Sequence, residues 1–502
     1  MPTVVFIIIA VLCVAHGQVA QAYSSGGGGR RSLAKFPLYS RGGAYEYILT
    51  AEDRDNGISH LGAATRLRAK LSALAKGGKL KVATIGGSIT AGQGAVDAPN
   101  WPQYLFGFLE DTYGKDVATG HNGAMAGTVS SYMSACHNMH VPKDSDIIFV
   151  EYSVNDEAHP MPLFNNDMRR AYERLIRKLL SYPNQPAVVL LHTYTWMQGH
   201  HNTAGTYWSG AEREFSELSL YYALPALSLK SAVYHRMRVG EEGFQVAAPR
   251  NSNETALKDK AFYYDNVHPD GRTGCRVIAE LAIHLISSVL AQVKSSEPAA
   301  LQPQPLPPPM IPGNHESAND KCFIGGSFVA TVQEPHEGWE WANEAKNSLR
   351  PKWGFISTTA GSALKVKVDT RASASASADN SDVMVQIAYL QSYENMGKAS
   401  ITCEGGCACP ASTPIDGHNP GDKTSQTHLH AFYVSQAEDC IIVFTVLPET
   451  GSGQHKVKLT GVIISEESGK QAEWRNTRAV EYVADISARG ADGVFEVMNH
   501  AR

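Results

Sequence analysis

Short apolar runs and helical stripes alternate along the first half of this chain. Residues 81–85 (KVATI), 147–152 (IIFVEY) and 187–191 (AVVLL) are brief, apolar and rich in β-branched side chains. That is the pattern of strands covered on both faces. Between the last two, Met168, Tyr172, Leu175, Ile176 and Leu179 recur at helical spacing and form one stripe. Val277, Leu281 and Leu285 repeat the spacing further on. Strand–helix alternation predicts a parallel sheet with helices on both faces, an α/β domain. Beyond residue 320 the texture changes. Residues 363–368, 383–390, 441–447 and 456–464 are strand-like, several of them alternating, with Gly, Ser, Asp and Asn between. No long amphipathic helix interrupts them, which predicts a β-sandwich with a jelly-roll character.

Punctuation divides the chain. Residues 294–320 include SSEPAALQPQPLPPPMIPGNHESAND, where proline density denies helix and sheet, so an extended linker is expected there. The domains then run 79–293 and 321–466, with an N-terminal extension at 23–78 and a tail at 467–502 that carries no readable pattern. Residues 371–380 (RASASASADN) read as a low-complexity surface loop. Residues 4–15 are nearly all apolar, and Ala20-Gln21-Ala22 supplies an A-x-A cleavage pattern, so residues 1–22 read as a secretory signal peptide cut before Tyr23. Asn253-Glu254-Thr255 is a glycosylation sequon that suits such a route, with Asn253 the acceptor.

Composition narrows the function classes. With 502 residues, 43% of them hydrophobic and 19% charged, the chain is long enough for two or three domains and too apolar for wholesale disorder. A formal net charge of −5 lacks the basic excess that phosphate backbones attract, so no nucleic-acid partner is expected. No internal run of about 18 apolar residues exists, so no membrane span is expected after the signal. Of eight cysteines, Cys13 leaves with the signal. The seven that remain are Cys136, Cys275, Cys322, Cys403, Cys407, Cys409 and Cys440, an odd number that leaves at least one thiol unpaired within the chain. Cys403-x3-Cys407-x-Cys409 lacks a second cluster at zinc-finger spacing and is read as disulfide chemistry rather than a metal site. His192, His200, His201, His428 and His430 have no carboxylates or cysteines at ligand spacing and are read as loop or surface residues.

Four short blocks carry the candidate chemistry. Gly86-Gly87-Ser88-Ile89-Thr90 follows the first strand, so the glycines permit a sharp turn and Ser88 opens a helix. It is neither a G-x-S-x-G elbow nor a Walker loop. Asn122-Gly123-Ala124-Met125-Ala126-Gly127-Thr128 and Ser153-Val154-Asn155-Asp156 fall in loops after strands, where open α/β sheets bind ligands. Asp265-Asn266-Val267-His268-Pro269-Asp270-Gly271 sets Asp and His three apart, so a carboxylate can hold one imidazole nitrogen while the other faces a serine. Asp270 is the alternative partner. Glu151 and Asp156 read as structural carboxylates.

The order Ser, Gly, Asn and D-x-x-H at these spacings resembles the SGNH hydrolases, the GDSL-type esterases and lipases. The likeness spans roughly residues 79–293. It implies a flavodoxin-like α/β/α domain and serine ester hydrolysis, with no metal or organic cofactor. By motif, Ser88 corresponds to the nucleophile, His268 to the general base and Asp265 to its orienting acid. The Ser88 and Gly127 N–H groups and the Asn155 side chain correspond to the oxyanion hole. Gly127 is preferred to Gly123 because the family glycine usually precedes Thr, Ser or Asp. Two departures stand out: Gly87 occupies the place of the family's Asp, and Ser153 that of a glycine.

A secreted esterase joined to a β-rich module is similar to enzymes that deacylate polysaccharides. The expected substrate is therefore an acylated carbohydrate or other small ester. Trp339, Trp341 and Trp353 fall early in the module, where rings either fill a core or meet sugar faces. An O-acyltransferase using the same residues, and an inactive glycan-binding protein, are the alternatives.

Overall fold

The structure is a computed structural model. It describes residues 45–156, 162, 164–196, 207, 210–253, 260–294, 305–314, 320–344, 352–372, 382–410, 414–421 and 425–465. The expected signal peptide, His200, His201, Glu254, Thr255 and the tail lie outside these residues.

The first half builds one sheet from β1 (Ile58–His60), β2 (Leu80–Gly86), β3 (Ala118–Asn122), β4 (Ile147–Glu151), β5 (Ala187–His192) and β6 (Ala226–Ser228). Its helices are α1 (Ala51–Asn56), α2 (Thr65–Ala75), α3 (Ser88–Ala91), α4 (Trp101–Tyr113) and α5 (Ser130–His140), then α6 (Asp167–Leu180), α7 (Glu212–Tyr221), α8 (Leu229–Val239) and α9 (Gly274–Lys294). The strand order is β1-β6-β5-β4-β2-β3. All neighbours are parallel except β1, which runs antiparallel to β6. Because β2 has β3 on one side and β4 on the other, the chain reverses its travel across the sheet there. The loops after β2 and β4 open on that switch point.

The continuous apolar strands serve two cores. Ile147 and Phe149 of β4 pack with α2, α4, α8 and α9, while Ile148 and Val150 pack with α5, α6 and α7. By length and composition α9 could cross a bilayer, but most of it is buried inside this domain, against α2 and α4. Residues 45–78, assigned from sequence to an extension, contribute a strand and two helices to the domain. Leu67, Leu71 and Leu74 of α2 supply the stripe that meets α9.

The proline-rich segment is docked rather than free over residues 305–314. Glu173 of α6 accepts hydrogen bonds from the Ile311 N–H at 3.2 Å and Asn314 Nδ2 at 2.6 Å, and also from the Met310 N–H. Arg177 donates to the Pro307 carbonyl and Arg170 to that of Pro312. Prolines leave carbonyls without ladder partners, and basic side chains of α6 take them up.

The second half is an antiparallel sandwich. One sheet is formed by β10 (Ala363–Val368), β15 (Cys440–Val446), β12 (Lys398–Glu404) and β13 (Ile415–Asp416). The other orders β14 (Gln426–Ser435), β11 (Asp382–Gln391), β16 (Val457–Ser465), β9 (Trp353–Ser357) and β8 (Glu340–Asn343), with β7 (Lys321–Ile324) also pairing β16. The one helix described here is the four-residue α10 (Gly326–Val329). The outer face of the second sheet packs on the first domain, where Ile324, Ala388, Leu429 and Ile463 join the α5–α7 core. A disulfide between Cys136 of α5 and Cys322 of β7 crosses this contact. Cys403–Cys409 and Cys407–Cys440 lie within the module, and Cys275 is a buried free thiol. The cysteines of the rejected zinc cluster are thus all spent in disulfides.

Candidate active site

Ser88 begins α3 directly after the Gly86-Gly87 turn. With four residues, α3 is too short to offer much of a dipole, so hydrogen bonds set the turn. Gly86 is required there: a Cβ would lie 2.5 Å from Thr90 Oγ1 and 2.7 Å from the Glu151 carbonyl. His268 Nε2 stands 2.8 Å from Ser88 Oγ. On the other side of the ring, Nδ1 is 2.7 Å from Asp265 Oδ2 and 2.9 Å from Oδ1. With the proton on Nδ1 held by the carboxylate, Nε2 is left to accept from the serine hydroxyl. Asp265 also accepts the Val267 N–H at 2.8 Å and the His268 N–H at 2.7 Å. Burial pushes its carboxyl up, but the bonds from His268 and Val267 outweigh this and hold it below the ordinary carboxylate range.

Asp270 is committed elsewhere. It pairs with Arg250 at 2.8 Å and accepts the Arg272 N–H, and Arg250 reaches on to Asp97 at 2.6 Å. This network ties the loop after α3 to the turn bearing His268. Gly94 lies so close that a Cβ there would meet His268 Cβ at 2.7 Å.

The two glycines of the loop after β3 differ in their surroundings. The Gly123 N–H is bonded to the Thr84 carbonyl at 2.8 Å, continuing the β2–β3 ladder. Gly127 sits in the left-handed region at φ 74°, beyond the ladder. Asn155 follows β4, is 9% exposed, and its Oδ1 is buried without a hydrogen-bond partner. Asp156 accepts the Ser130 N–H at 2.9 Å and Ser130 Oγ at 2.6 Å, fastening the Asn155 loop to the start of α5 just past Gly127.

Several supporting residues escape sequence reading. His140 Nδ1 bonds the Gly123 carbonyl at 2.8 Å, and its Nε2 meets Tyr132 Oη at 2.9 Å. Beyond β5, Tyr234 packs against Trp196 and Tyr207, and Tyr263 Oη bonds the Tyr194 carbonyl, two residues from Asp265. The histidine reading needs correction. His192 is a fully buried strand residue with both ring nitrogens unpartnered, and His428 and His430 lie on β14. Asn253 is exposed, in a segment whose residues Arg250 and Asn251 bond the carbonyls of Tyr263 and Tyr264. Of the tryptophans, Trp339 is buried, while Trp341 and Trp353 are half-buried and stacked 5.9 Å apart.

No protein-family model matches the chain, and no curated protein matches it. Solved structures do. A two-domain esterase active on acetylated mannans superposes with a TM-score of 0.57 at 19% identity, covering 83% of this chain and 99% of that one. The chain has that two-domain fold. The esterase co-crystallised with mannopentaose gives a TM-score of 0.56 at 19% identity, covering 84% of this chain and all of the other.

Proposed function

We propose that the protein is a secreted serine esterase of SGNH type that removes acyl groups, acetyl foremost, from carbohydrate hydroxyls. The observation that carries this is the chain of contacts from Asp265 through His268 to Ser88 Oγ, at 2.7 and 2.8 Å, at the switch point of the sheet. A nucleophile, a base and an orienting acid within hydrogen-bond reach are what acyl transfer needs.

In this mechanism His268 Nε2 takes the Ser88 proton as Oγ bonds to the ester carbonyl carbon. The carbonyl electron pair moves onto oxygen, facing the N–H groups of Ser88 and Gly127 and the Asn155 amide. Collapse breaks the bond to the sugar oxygen, which leaves with the proton from His268. Water then repeats the sequence, releasing the acid and Ser88. Asp265, ionised across the working range, favours the imidazolium formed in each half.

The carbohydrate part of the reading is supported by the shared fold with an esterase active on acetylated mannans and by the sandwich module. Secretion is supported by the three disulfides, the apolar leader and the sequon. The test is acetate release from acetylated mannan and xylan and from p-nitrophenyl acetate, with Ser88→Ala as control. The proposal expects turnover that Ser88→Ala abolishes. Binding without turnover on any ester would select the inactive glycan-binding alternative, and acetyl transfer to added sugar the acyltransferase.

A further inference from the structure

Glu151, the last residue of β4, is completely buried beneath the nucleophile turn. Its carboxylate accepts Thr90 Oγ1 at 2.9 Å and Thr193 Oγ1 at 2.6 Å. Thr90 belongs to α3 and is itself fixed by Trp101 Nε1 at 3.2 Å and by Asn122 Nδ2 on its carbonyl at 2.9 Å. Thr193 follows β5, and its carbonyl accepts Ser153 Oγ at 2.9 Å, two residues before Asn155. One carboxylate therefore joins the helix that Ser88 begins to the segment that carries Asn155.

We infer that Glu151 is the positioning residue of this site, holding Ser88 and the Asn155 amide in register from the neighbouring strand. Residue 87 has no side chain with which to brace its own turn, and the Asn155 amide occupies the space one would need. The brace therefore comes from across the ladder, where Gly86 pairs with Glu151. A carboxylate suits the task because each of its two oxygens accepts one of the two hydroxyl donors. An apolar residue would leave two hydroxyl donors buried and unpaired.

The inference rests on Ser88 being the nucleophile, and its test keeps the two apart. Glu151→Ala should lower kcat by about a hundredfold with KM within twofold, the cost of a small misplacement of reacting groups. Added formate should restore part of the rate by refilling the carboxylate site. Thr193→Val, which keeps shape and removes one donor, should lower kcat by about tenfold and decides alone if Glu151→Ala does not fold. Amide exchange at Ala91 and Gly92, whose N–H groups close α3 on the Gly87 and Ser88 carbonyls, should quicken in either variant, a readout that does not need turnover. If the wild type cleaves no ester, the esterase reading falls, and Ala91 and Gly92 exchange still judges the brace. Folded variants with wild-type kcat and unchanged Ala91 and Gly92 exchange would overturn the inference. So would a kcat loss that formate leaves untouched and a lowered melting temperature accounts for.

Discussion

The Asn155 side chain lies directly against the Cα of Gly87: a Cβ on residue 87 would sit 2.3 Å from both its Nδ2 and its Oδ1. Such a contact exists only while residue 87 is glycine. Gly87→Ala must push the amide away from the turn before Ser88. We expect a fall in kcat of about 10²-fold in a protein whose melting temperature stays within a few degrees of wild type. Steady-state kinetics and a thermal melt on the same preparation check it.

Asn155→Ala removes the amide outright. If it stabilises the oxyanion, kcat should fall by about 10²–10³ with KM little changed, because the bond strengthens only in the transition state. Its buried, unpartnered Oδ1 shows that the carbonyl end is not serving as a turn cap. A mixed change in both constants with a lowered melting temperature would return Asn155 to a loop-structuring role.

Much of this was legible in the chain. Strands β2, β4 and β5 announce themselves because burial on both faces demands continuous apolar residues, and α6 because its stripe faces one core. The segment ATGHN of β3 does not, since its polar residues are satisfied locally: Asn122 by Thr84 and Thr90, His121 by the His140 carbonyl. The three-residue β1 is too short to show a period. Ser88, Asp265 and His268 were visible as spaced motifs, and the structure brings them within hydrogen-bond reach. Glu151 was visible only as a carboxylate ending an otherwise apolar strand, and its partners come from two separate segments that sequence spacing cannot align.

His192 offers a pH test. Burial, with the Lys230 charge adding to it and Glu212 opposing, brings its imidazole down to about 4. In the unfolded chain it protonates near 6.5, so below that pH the unfolded state binds a proton that the folded state refuses. Stability should therefore drop as pH falls from about 6.5 to 4, by at most about 3 kcal/mol from this residue. Buried His137 acts in the same direction, so the comparison is wild type against His192→Asn at each pH. Denaturant melts should show a shallower acid slope in the variant, and parallel slopes would refute it.

A protease nick between residues 295 and 320 should not release the module. Cys136–Cys322 joins the two halves, and Lys178 pairs with Asp320 beside it. On a non-reducing gel the nicked protein should run as one species, and after reduction as two. Separation without reductant would contradict the Cys136–Cys322 linkage.

Whether Ser88 is the nucleophile is tested by mapping a fluorophosphonate adduct by peptide mass spectrometry. The reagent phosphonylates a serine only where a base within reach can take its proton. One adduct per chain is expected, on Ser88, lost in His268→Ala and accompanied by complete loss of ester cleavage. An adduct on another serine, or an unlabelled Ser88 in protein that still cleaves esters, would contradict it.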